Sequence, residues 1–361
     1  MTKLSSPRVL IADDSAMART LLRMFLEQDG IEVIAEASNG QQAVELVREL
    51  RPDLVTMDLQ MPVMGGMQAI ETIMHEKAVP ILVVSSESDA EKACQALELG
   101  ALEVISKPDY TPEEANEFVR KVRLLAGVPV ITRLRRKQAA VAPLPIEFHW
   151  PASGQYRVRD YHRAFAIASS TGGPQALAQL LPRLDANFPA PILLAQHMCD
   201  GFVEGMALWL NSLTAVTVKV AEEGELLKPA CVYVSPSETH LTVTSSHRVA
   251  LQNRVAGEIY RPSCDHLLAS VAEVYGADAI GIIMTGMGRD GAAGLLKIKQ
   301  AGGVTLAQDE ASSVIYGMNQ EAVKLGAVHH EVALEHLAEE MQRALESSPQ
   351  TYLAQLTRSS A

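Results

Sequence analysis

Ala164-Phe165-Ala166-Ile167-Ala168-Ser169-Ser170-Thr171-Gly172-Gly173-Pro174 passes from an apolar run into hydroxyl residues, two glycines and a proline. The apolar run reads as a buried strand, and the hydroxyl–glycine segment as the sharp turn that ends it. Leu177, Leu180, Leu181 and Leu184 then recur at helical spacing. Pro174 suits the first turn of that helix, where a missing N–H costs nothing. Ser169, Ser170 and Thr171 therefore stand between a strand end and a helix N-terminus, among N–H groups without intrahelical partners. Two readings fit that position: hydroxyl caps on an ordinary strand–helix unit, or a turn that holds a phosphate or an oxyanion.

Working outward, the 361-residue chain is 48% hydrophobic and 20% charged, which suffices for large cores and two domains. A formal net charge of −12 argues against nucleic-acid or anionic-membrane binding as the main role, because both need concentrated positive charge. The basic run Arg133 to Lys137 is local. No apolar run is long enough for a signal core or a membrane span, so a cytoplasmic location without membrane insertion is expected. Cys94, Cys199, Cys231 and Cys264 are widely spaced, and the expectation is four reduced, structural cysteines.

From Val9 to Leu125 short apolar runs alternate with helical patterns. Val9–Ala12, Val33–Ala35, Leu54–Met57, Ile81–Val84 and Val104–Ile105 read as strands. The helices between them carry apolar residues at turn spacing, such as Met17, Leu21, Met24 and Phe25, and later Ile70, Ile73 and Met74. Such alternation implies a doubly wound parallel sheet with its site beyond the carboxyl ends of the strands. Asp13, Asp14, Asp58, Ser85 and Lys107 all follow strand ends. Carboxylates converging at one edge repel unless a divalent cation such as Mg2+ sits among them, with Lys107 adding positive charge.

In order and spacing, Asp13-Asp14, Met57-Asp58, Met61-Pro62, Ser85 and Lys107-Pro108 resemble the receiver domains of two-component response regulators. The resemblance implies a flavodoxin-like (βα)5 fold in which Asp58 accepts a phosphoryl group from a sensor histidine kinase of the CheA type. It also implies that Asp13, Asp14, Asp58 and the backbone carbonyl of Gln60 bind Mg2+, while Ser85 and Lys107 hold the phosphoryl oxygens. Val104 stands where that family usually has a switching aromatic residue, and Gly65 where an aspartate is common.

The periodicity fails between about Gly127 and Asp160, where proline, alanine and glycine surround the basic run; this reads as a linker in which Phe148 and Trp150 are apolar anchors. The expected division is a receiver over 1–126, a linker over 127–160, a catalytic domain over 161–350 and a tail over 351–361.

Beyond the linker further strands are expected at Pro191–Gln196, Thr217–Val220, Cys231–Ser235, His240–Val243, Ala279–Met284 and Val304–Ala307. His197 follows one strand end, and Asp290 lies in Thr285-Gly286-Met287-Gly288-Arg289-Asp290-Gly291 after another. A hydroxyl, an imidazole and a carboxylate from three strand ends could form a nucleophile, a base and an orienting acid. His240, and Asp265 with His266, are rival candidates on the residues alone.

Ser169-Ser170-Thr171-Gly172-Gly173-Pro174, Gln196-His197-Met198, Arg261-Pro262-Ser263 and the Thr285–Gly291 loop together resemble the catalytic domain of the chemotaxis protein-glutamate methylesterases. Receiver plus this domain is that family's own arrangement. It implies a second doubly wound, mostly parallel α/β domain in which Ser170 is the nucleophile, His197 the base, Asp290 the orienting acid, Met287 N–H an oxyanion donor and Thr171 a positioning residue. It implies hydrolysis of γ-glutamyl methyl esters on chemoreceptors, deamidation of some glutamines and control by phosphorylation, with no cofactor for the ester chemistry. Cys199, Arg289 and Cys264 depart from the family's common residues. Two other readings are a receptor-binding scaffold without activity and a DNA-binding regulator; the second would need a helix-turn-helix, whereas this half is strand-rich.

Overall fold

The computed structural model describes residues 6–86, 90–109, 111–130, 161–255, 257–258 and 260–359. The basic run and both aromatic anchors of the linker lie outside the described residues.

Five strands form the first sheet: β1 (Arg8–Ala12), β2 (Glu32–Ala37), β3 (Leu54–Met57), β4 (Ile81–Ser85) and β5 (Glu103–Ser106). All pair in parallel in the order β2-β1-β3-β4-β5, the flavodoxin-like order. Helices α1 (Ala16–Gln28), α2 (Gly40–Leu50), α3 (Gly66–Glu76), α4 (Ala90–Leu99) and α5 (Pro112–Leu125) connect and cover it. Side-chain caps begin three of these: Ser15 on α1, Asn39 on α2 and Thr111 on α5, each satisfying an N–H the first turn leaves open. The expected apolar face of α1 holds at Phe25 and is corrected at both methionines. Met17 is 73% exposed and Met24 39% exposed, while Leu22, Phe25 and Leu26 face the core. Ile70, Ile73 and Met74 are buried as expected.

The second sheet has seven strands in the order β14-β13-β12-β6-β7-β9-β8: β6 (Ala164–Ser169), β7 (Ile192–Gln196), β8 (Thr217–Val220), β9 (Cys231–Val234), β12 (Ala279–Ile283), β13 (Val304–Gln308) and β14 (His330–Val332). All of its pairings are parallel. The chain steps from β6 to one side and later returns to lay β12 on the other, so β6 is the topological switch. Helices α6 (Gly173–Leu180), α7 (Val203–Leu213), α8 (Cys264–Tyr275), α9 (Ala292–Gln300), α10 (Met318–Lys324) and α11 (Leu334–Glu346) flank it. Leu177, Leu180 and Leu181 are fully buried, and Pro174 lies in the first turn of α6.

Three features differ from the sequence reading. The strand expected at His240–Val243 is β10 (Thr239–Val243), but it pairs antiparallel with an unanticipated β11 (Val249–Asn253) in a separate hairpin. The short β14 was also missed. The division expected at residue 350 falls inside α12 (Pro349–Ser359); Tyr352 is fully buried and its hydroxyl donates to Glu340, so packed chain continues beyond that boundary. Among the described residues no helix is long and apolar enough to cross a membrane, and all four cysteines are free.

Candidate active site

Parallel pairing of β6 with β7 aligns Ser169 with Gln196, so the next residues, Ser170 and His197, emerge side by side at the carboxyl end. The His197 N–H donates to the Ser169 carbonyl at 3.0 Å. One buried amide ties the two turns together: Gln196 Nε2 donates to the carbonyls of Ser170 at 2.9 Å and His197 at 2.8 Å, while its Oε1 accepts from Ser169 Oγ at 2.7 Å. On the other flank, β12 delivers the Thr285–Gly291 loop. A Cβ on Gly286 would lie 2.7 Å from Ser170 Cβ, so only glycine lets this loop approach the serine so closely. Gly172 adopts φ +79°, the left-handed turn that redirects β6 into α6.

Asp290 reaches from that loop to His197, with Oδ2 2.8 Å from Nε2. Its carboxylate is held from below by the start of α8. Oδ1 accepts from Ser263 Oγ at 3.1 Å and Asp265 N at 3.0 Å, and Oδ2 accepts from Cys264 N at 2.6 Å. Burial alone would raise the Asp290 carboxyl; the His197 contact and the two backbone N–H groups outweigh it and hold the group below the usual carboxylate range. An ionised Asp290 only accepts, so His197 Nε2 donates to it, and in the neutral ring this leaves the lone pair on Nδ1. Among the described residues, no hydrogen bond joins Ser170 Oγ to that ring; such bonds commonly form only with substrate present.

The rival candidates take other places. Fully buried His240 accepts from Ser263 N on Nδ1 at 2.9 Å and contacts Glu258 through Nε2 at 2.8 Å. Asp265 accepts from the N–H groups of Gly291 and Gly294 at 3.0 Å and 2.6 Å, anchoring the loop that carries Asp290. Two contacts of His197 were not foreseen, one from Tyr260 and one from Cys264, which the sequence marks only as a departure from the family's common residue. Tyr260 stacks on the imidazole with ring centroids 5.2 Å apart and planes 12° apart, and Cys264 Sγ lies 3.5 Å from Nε2.

Residues 165–341 match the CheB methylesterase family description, and residues 9–120 match the response regulator receiver domain. A protein-glutamate methylesterase/protein-glutamine glutaminase of Paramagnetospirillum magneticum is 52% identical over 333 residues, covering 91% of this chain and 94% of that protein. The chain belongs to the CheB methylesterase family. Relatives of the same description from Geobacter metallireducens and Pyrococcus abyssi are 42% and 38% identical, covering 90% and 94% of this chain and 94% of each relative.

In this CheB family member the receiver meets the rim of the candidate site. Thr171, expected to help position the histidine, donates its hydroxyl to Glu103 Oε2 of β5 at 2.8 Å. Gln175 Nε2 donates to the carbonyls of Ala101 at 2.6 Å and Leu102 at 3.0 Å, and Arg120 Nη1 reaches Met287 Sδ at 3.1 Å. Helix α4 packs on α7, with Cys94 Sγ 3.8 Å from the Phe202 carbonyl. Cys94 and Leu97 share one apolar cluster with Phe202 and Met206. No sequence pattern announces Glu103, whose partner lies on the other domain.

The receiver pocket forms beyond the carboxyl ends of the adjacent strands β1 and β3. Asp13 and Asp58 are buried, Asp14 is exposed, and one ligand oxygen from each lies within 4.8 Å of the others. Lys107 Nζ is 2.8 Å from Asp13 Oδ2 and 2.9 Å from Asp58 Oδ2. Ser85 Oγ is fully buried at the end of β4 without a hydrogen-bond partner among the described residues. Burial pushes the Asp58 carboxyl up; Lys107 opposes the shift and Asp13 adds to it. An all-carboxylate donor set suits a hard cation such as Mg2+, so the residues fit that ion. Gln60 follows in the β3–α3 loop. Val104 is buried, so an aliphatic side chain fills the position of the family's switching aromatic.

Proposed function

We propose that this chain removes methyl groups from γ-glutamyl esters on chemoreceptors and deamidates selected receptor glutamines, acting in the cytoplasm through Ser170, His197 and Asp290. The observation that carries the reading is the His197–Asp290 contact beside Ser170 at the switch point of a CheB-type sheet. Ser170 Oγ attacks the ester carbonyl carbon as His197 Nδ1 takes its proton. Met287 N–H, which makes no backbone hydrogen bond among the described residues, faces the developing oxyanion. Collapse expels methanol, protonated by His197; water deprotonated at the same nitrogen then attacks the acyl-serine and releases glutamate. For a glutamine the leaving group is ammonia. Asp290 keeps the ring in the Nε2–H tautomer throughout and stabilises the imidazolium. Purified protein should release methanol from a methyl-esterified receptor. No release from the intact chain, with a small-molecule phosphodonor supplied, would leave only the receptor-binding scaffold reading.

Regulation follows from the interface. Thr171 and Met287 belong to the active-site rim, and both are engaged by the receiver. The arrangement seen here is therefore read as the restrained form, and a phosphoryl group on Asp58, donated by a histidine kinase of the CheA type, favours release through contacts made only in the other form. Asp13, Asp14, Asp58 and the Gln60 carbonyl would hold Mg2+, which supplies charge neutralisation during phosphoryl transfer. Lys107 and Ser85 are placed to bind the phosphoryl oxygens. With phosphodonor and Mg2+, methanol release by the wild type should rise, and in Asp58→Asn that rise should vanish; equal stimulation of both proteins counts against Asp58 as acceptor.

Loosening the interface should mimic activation. Gln175→Ala removes two hydrogen bonds to the receiver without touching the triad. At about 1 kcal/mol net for the pair, unphosphorylated activity should rise roughly fivefold while phosphorylated activity is unchanged. Assays with and without phosphodonor check this, and an unchanged basal rate argues against a restraining receiver.

A further inference from the structure

Three donor types meet at the base of the active site. Cys264 Sγ is 3.5 Å from His197 Nε2, which is 2.8 Å from Asp290 Oδ2, and the thiol, imidazole and carboxylate atoms all lie within 4.8 Å of one another. Sulfur and nitrogen bound to one tetrahedral zinc stand about 3.5 Å apart, given their usual bond lengths; the observed separation already has that value. Nitrogen and oxygen would stand about 3.3 Å apart, so the His197–Asp290 contact needs to widen by only a fraction of an ångström. The carboxylate is oriented by Ser263 Oγ and two backbone N–H groups, the outer support that metal-ligating carboxylates require.

We propose that His197, Cys264 and Asp290 form a binding site for one thiophilic divalent cation of the zinc–cadmium class, and that its occupancy switches the esterase off. The charge environment favours such an ion. Asp290 brings a carboxylate beside the Cys264 thiol, and a divalent ion held between them displaces the thiol proton. Binding converts Cys–SH to a metal thiolate and releases one proton. The His197 proton moves from Nε2, now a ligand, to Nδ1. That nitrogen then has no lone pair for Ser170, so the loaded protein lacks its base. The inhibition, though not the binding, rests on the reading of His197 as base.

A second cluster, His240, Glu258 and His266, does not qualify in the same way. Ser263 N donates to His240 Nδ1, which fixes the ring proton on Nε2, the atom that would have to ligate.

The test uses the full chain with Ser170→Ala, titrated with cadmium chloride. A thiolate-to-cadmium charge-transfer absorption should grow to one equivalent, persist when Cys199 is changed to Ser, and be lost when Cys264 is changed to Val. Should Val at that position unfold the chain, as judged by circular dichroism, Cys264→Ala replaces it. With Ser170 intact, zinc should abolish methanol release, a chelator should restore it, and the Cys264 variant, whatever its own basal rate, should turn over at the same rate with and without zinc. Absorption that survives loss of Cys264, or none at all with Cys264 present, overturns the site. Absorption with turnover undiminished overturns the inhibition and, separately, the assignment of His197 as base.

Discussion

Ser170→Ala is expected to lower methanol release on the order of 10⁶-fold. In the proposed mechanism the other parts, left without the serine, have nothing to activate, and what survives is oxyanion stabilisation and binding. The same change should cost little stability. Ser170 Oγ makes no hydrogen bond to His197 among the described residues, and its backbone N–H and carbonyl, bonded to Thr285, Gly173 and Gln196, are untouched. Single-turnover methanol release from a methylated receptor, alongside thermal unfolding of both proteins, separates chemistry from folding. A variant that retains most of its turnover points to a hydroxyl other than that of Ser170.

Asp290→Asn is expected to cost about 10⁴-fold in kcat, for a reason that can be followed atom by atom. The carboxylate accepts from four donors: His197 Nε2, Ser263 Oγ, Cys264 N and Asp265 N. An asparagine has one oxygen. If it serves Ser263 and Asp265, the amide nitrogen faces both Cys264 N–H and His197, and its hydrogens drive the imidazole to the Nδ1–H tautomer, which cannot take the proton from Ser170. If the amide is turned round, the nitrogen instead meets Asp265 N–H. Either way a donor loses its acceptor in a buried site, so a loss of roughly 1–3 kcal/mol in stability should accompany the loss of rate. Kinetics and denaturant unfolding on one preparation measure both; an unaltered kcat would remove Asp290 from the mechanism.

Most of the architecture was legible because strand and helix patterns alternate cleanly. The buried runs Leu54–Met57 and Ile81–Ser85 are unbroken apolar or β-branched stretches ended by a polar residue, the signature of a strand covered on both faces. The hairpin strand Val249–Asn253 was not, since it ends in exposed polar residues and its partner lies outside the main sheet. Helix α1 misled because methionines at positions 17 and 24 fit an apolar stripe, yet the sheet selects the neighbouring stripe of Leu22, Phe25 and Leu26. Within the site, Ser170, His197 and Asp290 lie beyond strand ends, as rival residues do, and only the motif resemblance chose them. The roles of the supporting groups could not be read that way. Cys264 and Ser263 act on Asp290 through a helix start more than twenty residues away in sequence, and Tyr260 is placed by stacking, which leaves no periodic trace.

Joining Cys94 and Leu97 to Phe202 and Met206 in one apolar cluster has a thermodynamic corollary. Parting the domains wets hydrocarbon surface, and hydration of such surface carries a positive heat capacity. The balance between restrained and released forms is therefore curved in temperature. Near room temperature the attraction that holds the receiver in place is chiefly entropic and weakens on cooling. Under the proposed restraint, a cell in the cold would run this enzyme with a looser brake, and the phosphoryl signal would have less restraint to overcome.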